Sequence, residues 1–157
     1  MSMVYVSVTR LRVRSARYLL AFIPRVWSSG RQAKEAVGFL GGKLLYEFPL
    51  TFWTATTWAD EAAMRAYRIS GAHRDAMPLL LDWCDEAAVA HWSQSSAILP
   101  DWMDWLEAHR RMVTEGRLSK VNYPSSAQAA ARIAEPRPSP FELRLRPVIN
   151  RNLKPAS

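Results

Sequence analysis

The residues of this chain that could do chemistry concentrate in one stretch, Trp58-Ala-Asp-Glu-Ala-Ala-Met-Arg-Ala-Tyr-Arg-Ile-Ser-Gly-Ala-His73. An imidazole titrates near neutrality, so His73 can take a proton from a phenolic hydroxyl or hold a metal or haem iron through a ring nitrogen. The position equally suits a histidine that hydrogen-bonds at a helix junction while Met77, one turn on, packs in the core. His91 stands beside Trp92 in a strand, which sends the two to opposite faces. It reads either as a pocket or interface histidine or as an ordinary strand residue. His109 shares a helical stripe with Trp105 and Met112 and reads as packing. Three histidines on three elements lack metal-ligand spacing.

Seven tryptophans are many for 157 residues, and aromatic walls suit a flat apolar ligand as well as a core. Trp53, Trp58 and Trp92 lie on elements that could line a cavity. Trp102 and Trp105 read instead as docking a helix. Tyr5 and Tyr67 could supply polar contacts in a mainly apolar pocket. The substrate-binding candidates are therefore Trp58, Tyr67, Met77, Trp92 and Tyr5, around His73 as the catalytic candidate. Other chemistries lack their motifs: there is no nucleophile elbow, no Rossmann glycine fingerprint and no paired-carboxylate motif. Gly41-Gly42-Lys43 lacks the spaced glycine and the Lys-Ser/Thr ending of a phosphate loop. Asp60 and Glu61 read as favourable charges at a helix start.

The elements that must position these residues follow from periodicity. Val4, Val6 and Val8 alternate with Tyr5, Ser7 and Thr9 as a first strand. Ser15 can cap a helix whose Leu19, Phe22, Ile23, Val26 and Trp27 form one apolar stripe, with Pro24 expected to kink it or end its first part. A second strand is expected over 37–48, with Gly41-Gly42 as a bulge or bend. The third covers 51–58 and carries Phe52, Thr54, Thr56 and Trp58 on one face and Trp53, Ala55 and Thr57 on the other. Bulky groups on both faces need cover on both, which points to a second subunit. Asp60 can cap a helix over 61–69, Gly71 can end it, and a second helical stretch over 73–83 contains Pro78. A fourth strand is expected over 87–93. Trp102, Trp105, Leu106, His109, Met112 and Val113 predict an added helix over about 101–115. Residues 123–157, with six of the ten prolines, read as a loosely held tail on which only Phe141, Leu143, Leu145 and Val148-Ile149 could dock.

Charge is uneven along the chain. Residues 1–34 hold seven Lys/Arg and no acid, residues 35–131 eight against twelve, and residues 132–157 six against two. The excess positive charge thus sits at the ends, and the patterned centre is acidic. No basic element interleaved with aromatics is present, so nucleic acid is not an expected partner. The acid-free start has strand periodicity rather than the character of a targeting peptide. No stretch approaches the ~18 uncharged apolar residues of a membrane span. Tyr18-Leu-Leu-Ala-Phe-Ile-Pro-Arg, with its basic flanks, leaves a case for lying on a membrane surface. Cys84 is the one cysteine, which excludes an internal disulfide and a cysteine zinc site and fits a cytoplasmic protein.

The order strand, helix, strand, strand, helix, strand is the ferredoxin-like βαββαβ pattern of α+β proteins with an antiparallel sheet. Phe52-Trp53-Thr54-Ala55-Thr56-Thr57-Trp58, followed by Asp60-Glu61-Ala62-Ala63-Met64 and Ser70-Gly71-Ala72-His73, resembles the antibiotic biosynthesis monooxygenase family of the dimeric α+β barrel superfamily. The N-terminal half is also somewhat similar to spheroidene monooxygenase, a haem-associated relative. The resemblance covers about residues 3–95, within a domain read as 1–122. It implies a homodimer whose sheets face each other, with a pocket in each subunit between sheet and helices. Such families include cofactor-independent oxygenases of polycyclic aromatics, haem-degrading enzymes and proteins of no known activity, so fold alone does not choose the reaction. The haem-degrading branch pairs a catalytic Asn with Trp and His, and here no Asn precedes Asn122.

The resulting expectation is a monooxygenase-like protein acting on a small apolar or aromatic molecule at His73, with no resident cofactor. Two alternatives stand beside it. One is a non-catalytic ligand-binding or interaction protein of the same fold. The other is a haem protein using His73 or His91 as axial ligand.

Overall fold

Alternating small and branched side chains from Val4 build the central strand of a sheet that has six strands among the described residues. In the computed structural model, residues 3–98, 107, 109–111, 117–118 and 141–148 are described. Strand β1 (Val4–Val13) leads through a short 3-10 turn into helix α1 (Leu19–Glu35), then β2 (Phe39–Glu47) and β3 (Thr51–Trp58). Three short helices follow, α2 (Glu61–Arg68), α3 (Gly71–Ala76) and α4 (Leu80–Trp83), before β4 (Cys84–Gln94). Two further strands, β5 (Arg117–Leu118) and β6 (Glu142–Leu145), complete the order β5-β4-β1-β3-β2-β6. Every pairing is antiparallel, and the central β4-β1-β3-β2 order is the ferredoxin-like one. The expected α+β class is thus the observed one.

Local expectations hold where a side chain or φ angle enforces them. Asp60 caps α2, its carboxylate accepting from the Ala63 N–H at 2.7 Å. The register of β2 against β3 shifts between Phe39 and Gly41, which is the bulge expected at the glycine pair. The helical stretch around Pro78 is broken, with a 3-10 turn over Met77–Leu79 between α3 and α4. Two expectations fail. Ser15 precedes the first turn with an extended backbone, but its side chain makes no capping bond. The α-helix also runs on through Pro24. The carbonyl Pro24 leaves without a donor is that of Leu20, whose side chain is almost fully exposed, so water can take the missing place.

The faces of β1 and β3 diverge as their alternation requires. Val6, Val8, Trp53 and Ala55 lie on the face away from the helices and are fully buried, with Leu45, Ala88 and Ala90 packed among them. That burial is complete in a single chain, so the bulk on both faces of β3 does not by itself call for a second subunit. On this side the Arg111 guanidinium lies 4.8 Å over the Trp92 ring, and Lys43 pairs with Glu142 at 3.3 Å.

The added helix expected over 101–115 lies mostly outside the described residues; Glu107, His109, Arg110 and Arg111 are helical, and His109 is buried. Trp102 and Trp105, and residues 123–140 and 149–157 of the expected tail, are also outside them. The described part of that tail is more regular than its prolines suggest. Residues 142–145 form β6 on the free edge of β2, pairing Gly42 with Leu145 and Leu44 with Leu143.

Candidate functional site

Helix α1 holds the α2–α3 junction through one side chain. The Gln32 amide donates to the carbonyl oxygens of Ser70 at 2.8 Å and Tyr67 at 3.2 Å, and its oxygen accepts from the His73 backbone N–H at 2.9 Å. Gly71 allows this approach: its φ is +56°, and a Cβ there would stand 2.9 Å from the Gln32 amide carbon. The clamp brings three chemistry-bearing residues, Tyr67, His73 and Met77, to the rim of one space between the helices and the sheet.

That space is a cavity of about 230 Å³. Its floor is set by strand register. Ser7 of β1 pairs with Thr56 on one side and His91 on the other, and Thr9 pairs with Thr54 and Val89, so two rows of mostly small side chains cross the sheet beneath α1. Phe22, Val26 and Ala33 of α1, Met64 of α2 and Trp83 of α4 form apolar walls, and Arg25 and Arg68 border the space.

The protonation state of His73 follows from its contacts. Its Nδ1 stands 3.1 Å from the Arg68 carbonyl oxygen, which only accepts, so Nδ1 carries the hydrogen and Nε2 carries the lone pair. Burial lowers the pKa of the ring below its ordinary 6.5; the backbone bond opposes the shift, and the Arg68 charge adds to it. His73 is accordingly a neutral imidazole at pH 7 with a basic nitrogen to offer. Tyr67 is locked beside it, its hydroxyl donating to the Ser29 carbonyl at 3.1 Å and its ring 4.8 Å from the imidazole. Burial pushes the Tyr67 hydroxyl pKa well above its ordinary 10, so it stays a neutral phenol.

The remaining sequence candidates divide. Trp58 lies behind the wall: it is fully buried, stacks on Tyr67 at 5.0 Å, and donates from Nε1 to Thr56 Oγ1 at 2.9 Å. It orients two cavity residues and does not line the space itself. Tyr5 packs in the same cluster, 5.6 Å from the His91 ring. Trp92 is on the opposite face of the sheet, against the core of Val6, Val8 and Trp53, and the structure does not bring it to His73. Sequence reading passed over Ser7, Thr9, Thr54 and Thr56 as site residues. Their signal was present, because small polar residues alternate in β1 and β3 on a face that helices must cover. His91, read as a pocket histidine or an ordinary one, borders the cavity.

Among the described residues, no three His, Cys, Asp or Glu side chains come together as a metal-holding group. No described helix is long and apolar enough to cross a membrane.

No protein-family profile matches the sequence, and no curated protein matches it. Solved structures match its fold. A conserved protein from Methanosarcina mazei Go1 superposes with a TM-score of 0.53 at 17% identity, covering 58% of this chain and 92% of that one. A protein from Nitrosomonas europaea, provisionally named an antibiotic biosynthesis monooxygenase, gives 0.53 at 15%, covering 59% and 90%. Protein PA3566 from Pseudomonas aeruginosa gives 0.54 at 11%, covering 61% and 98%. The fold is therefore that of the antibiotic biosynthesis monooxygenase-like proteins, and at these identities the likeness extends to fold alone.

Proposed function

From that shared fold and a neutral imidazole beside an apolar cavity, we propose that the protein is an oxygenase of small aromatic molecules, with no resident metal or haem. The observation that carries the reading is the placement of the His73 ring: it borders the cavity with Nδ1 3.1 Å from the Arg68 carbonyl oxygen, a contact that assigns the hydrogen to Nδ1 and the basic lone pair to Nε2. The size of the ligand follows from the cavity. A cavity of about 150 Å³ accommodates benzene, so about 230 Å³ suits one or two fused rings. A naphthol-type substrate meets both conditions.

In this reading Nε2 accepts the hydroxyl proton and the electron pair remains on the ring system as a naphtholate, which the Arg25 and Arg68 guanidinium groups at the border favour. Dioxygen is the oxidant. The C–H opposite the hydroxyl becomes C=O, the second oxygen atom leaves as water, and one naphthol with one O₂ gives one naphthoquinone and one water. Ser7, Thr9, Thr54 and Thr56 offer hydroxyl groups to orient the polar end.

The test is oxygen uptake with 1-naphthol and small quinols, with quinone formation followed by absorbance. Uptake matching quinone formation supports the proposal. Ligand binding with no uptake by the wild type replaces it with the ligand-binding reading. A Soret band in the purified protein removes the cofactor-free claim and promotes haem on His73 or His91. The homodimer that the resemblance implies is a separate proposal: light scattering at twice the 17.9 kDa monomer mass supports it. A single mass removes the dimer and leaves the cavity reading intact.

A further inference from the structure

Helix α1 carries its apolar residues on two sides. Phe22 and Ala33 face the core, while Leu20, Ile23 and Trp27 lie on the adjoining, solvent-facing flank, so the stripe expected from the sequence is buried along one edge and open along the other, with Leu20 88% and Trp27 61% exposed. The stripe does not stand alone. Beside it β6 leaves Phe141 67% exposed and Leu143 half exposed, and between the two elements runs an apolar groove lined by Ile23, Trp27, Phe52, Phe141 and Leu143. A joined surface of large apolar groups is unusual on a protein that meets only water. The groove also shares Phe22, Val26, Leu44 and Thr54 with the His73 cavity, so these side chains form the partition between them.

We propose that this face docks on an anionic lipid surface and turns the groove toward the bilayer, so that the cavity takes a molecule dissolved in acyl chains. The second part rests on the cavity reading above; the docking itself does not. Charge selects the occupant. The outer stripe of α1 continues at helical spacing into Arg31 and Lys34, and Arg17 precedes it, so three cations flank the stripe against one acid, Glu35. Anionic headgroups complement such a rim, and Trp27 has the amphipathic ring that settles at a membrane interface. A second copy of the same face would set basic rim against basic rim, which disfavours self-association there.

The experiment is co-sedimentation of the full chain with vesicles of about one-third phosphatidylglycerol in phosphatidylcholine, against phosphatidylcholine alone. Most of the protein should sediment with the anionic vesicles at low salt, and about 0.5 M NaCl should weaken the partition roughly tenfold or more. Trp27→Glu, at an exposed site that leaves the fold intact, should weaken it by about tenfold. Val37→Glu, at a still more exposed site away from the groove, should not change it. Protein that stays in the supernatant at low salt, equal binding to neutral vesicles, or no effect of Trp27→Glu overturns the docking. So does a Trp27→Glu protein whose mass by light scattering halves, since the face would then join two copies. Quenching of protein fluorescence by 1-naphthol in lipid-free buffer tests the cavity separately. Naphthol preloaded in anionic vesicles should reach the wild type faster than Trp27→Glu, and equal rates overturn the passage.

Discussion

The two faces of one sheet in this protein are built from alternate residues of the same strands, yet they do opposite things. Away from the helices, Val6, Val8, Trp53 and Ala55 pack to full burial, and the charged groups among them are held: Arg10 pairs with Glu86, and the Trp53 indole donates to Glu47 at 2.7 Å. Toward the helices, Ser7, Thr9, Thr54 and Thr56 occupy the intervening positions and leave a cavity. A pleat with period two lets stability reside on one side and ligand chemistry on the other, without either side chain set intruding on its neighbour.

The largest expected effect lies on the packed face. Glu86 is buried between Arg10 and Arg12, the latter at 3.4 Å, and Glu86→Ala removes the carboxylate while the Arg10 guanidinium stays buried. Breaking such a pair costs about 3–5 kcal/mol, which for a chain of this length lowers the melting temperature by roughly 10 °C. Replacing both partners, Arg10→Met with Glu86→Leu, should restore most of that loss. Thr9→Ala on the cavity face should cost under about 1 kcal/mol. Thermal melts that show equal losses for Glu86→Ala and Thr9→Ala would break the contrast between the faces.

Next in size is an effect on turnover with almost none on folding. His73→Gln keeps the shape and loses the basic nitrogen, so oxygen consumption with the substrate should fall about 100-fold while the melt moves little. Were the melt to collapse instead, His73 would belong to the junction and not to the chemistry, and the cavity face would be structural too.

How far this was readable in advance depended on what each residue had to satisfy. The strand alternation, the Asp60 cap and the break at Pro78 follow from local geometry, and they hold. Trp58 and Trp92 were equivalent as aromatic site candidates, because hydrophobicity does not distinguish a wall from the layer behind it. Register separates them, and register is a relation between strands. β6 escaped for the same reason: its Leu143 and Leu145 alternate over only four residues, and the pairing with β2 that makes them a strand is set by the distant Gly42 and Leu44.

A smaller effect sharpens the cavity side. Thr54→Leu extends a branched side chain into the space while Trp53, one residue before, keeps its place on the other face. Affinity for 1-naphthol, followed by quenching of tryptophan fluorescence, should drop roughly tenfold, with stability changed by no more than about 1 kcal/mol. Trp53→Leu should do the reverse, leaving binding in the surviving folded fraction and costing stability through the cavity it opens.

The smallest effect is a pH dependence, and its sign follows from burial. The folded pKa of His73 is lowered below 6.5, so the unfolded chain takes up the proton first as pH falls. This contribution leaves stability undiminished above the unfolded pKa. Stability then declines as pH drops toward the folded pKa and flattens below it. His91 and His109 are present in both the wild type and His73→Gln, so the difference between their stability curves isolates the one ring. That difference should grow in favour of His73→Gln from about pH 6.5 downward and vanish above pH 7.5 or so. The rate profile should show the same group, with the acid limb of kcat/KM falling below pH 6.5 because the neutral base survives to lower pH. Urea melts between pH 7.5 and 5 measure the first and oxygen uptake the second. A difference curve that is flat, or that favours the wild type at low pH, would mean that the ring is solvated and that the cavity face lacks the dry base this reading assigns to it.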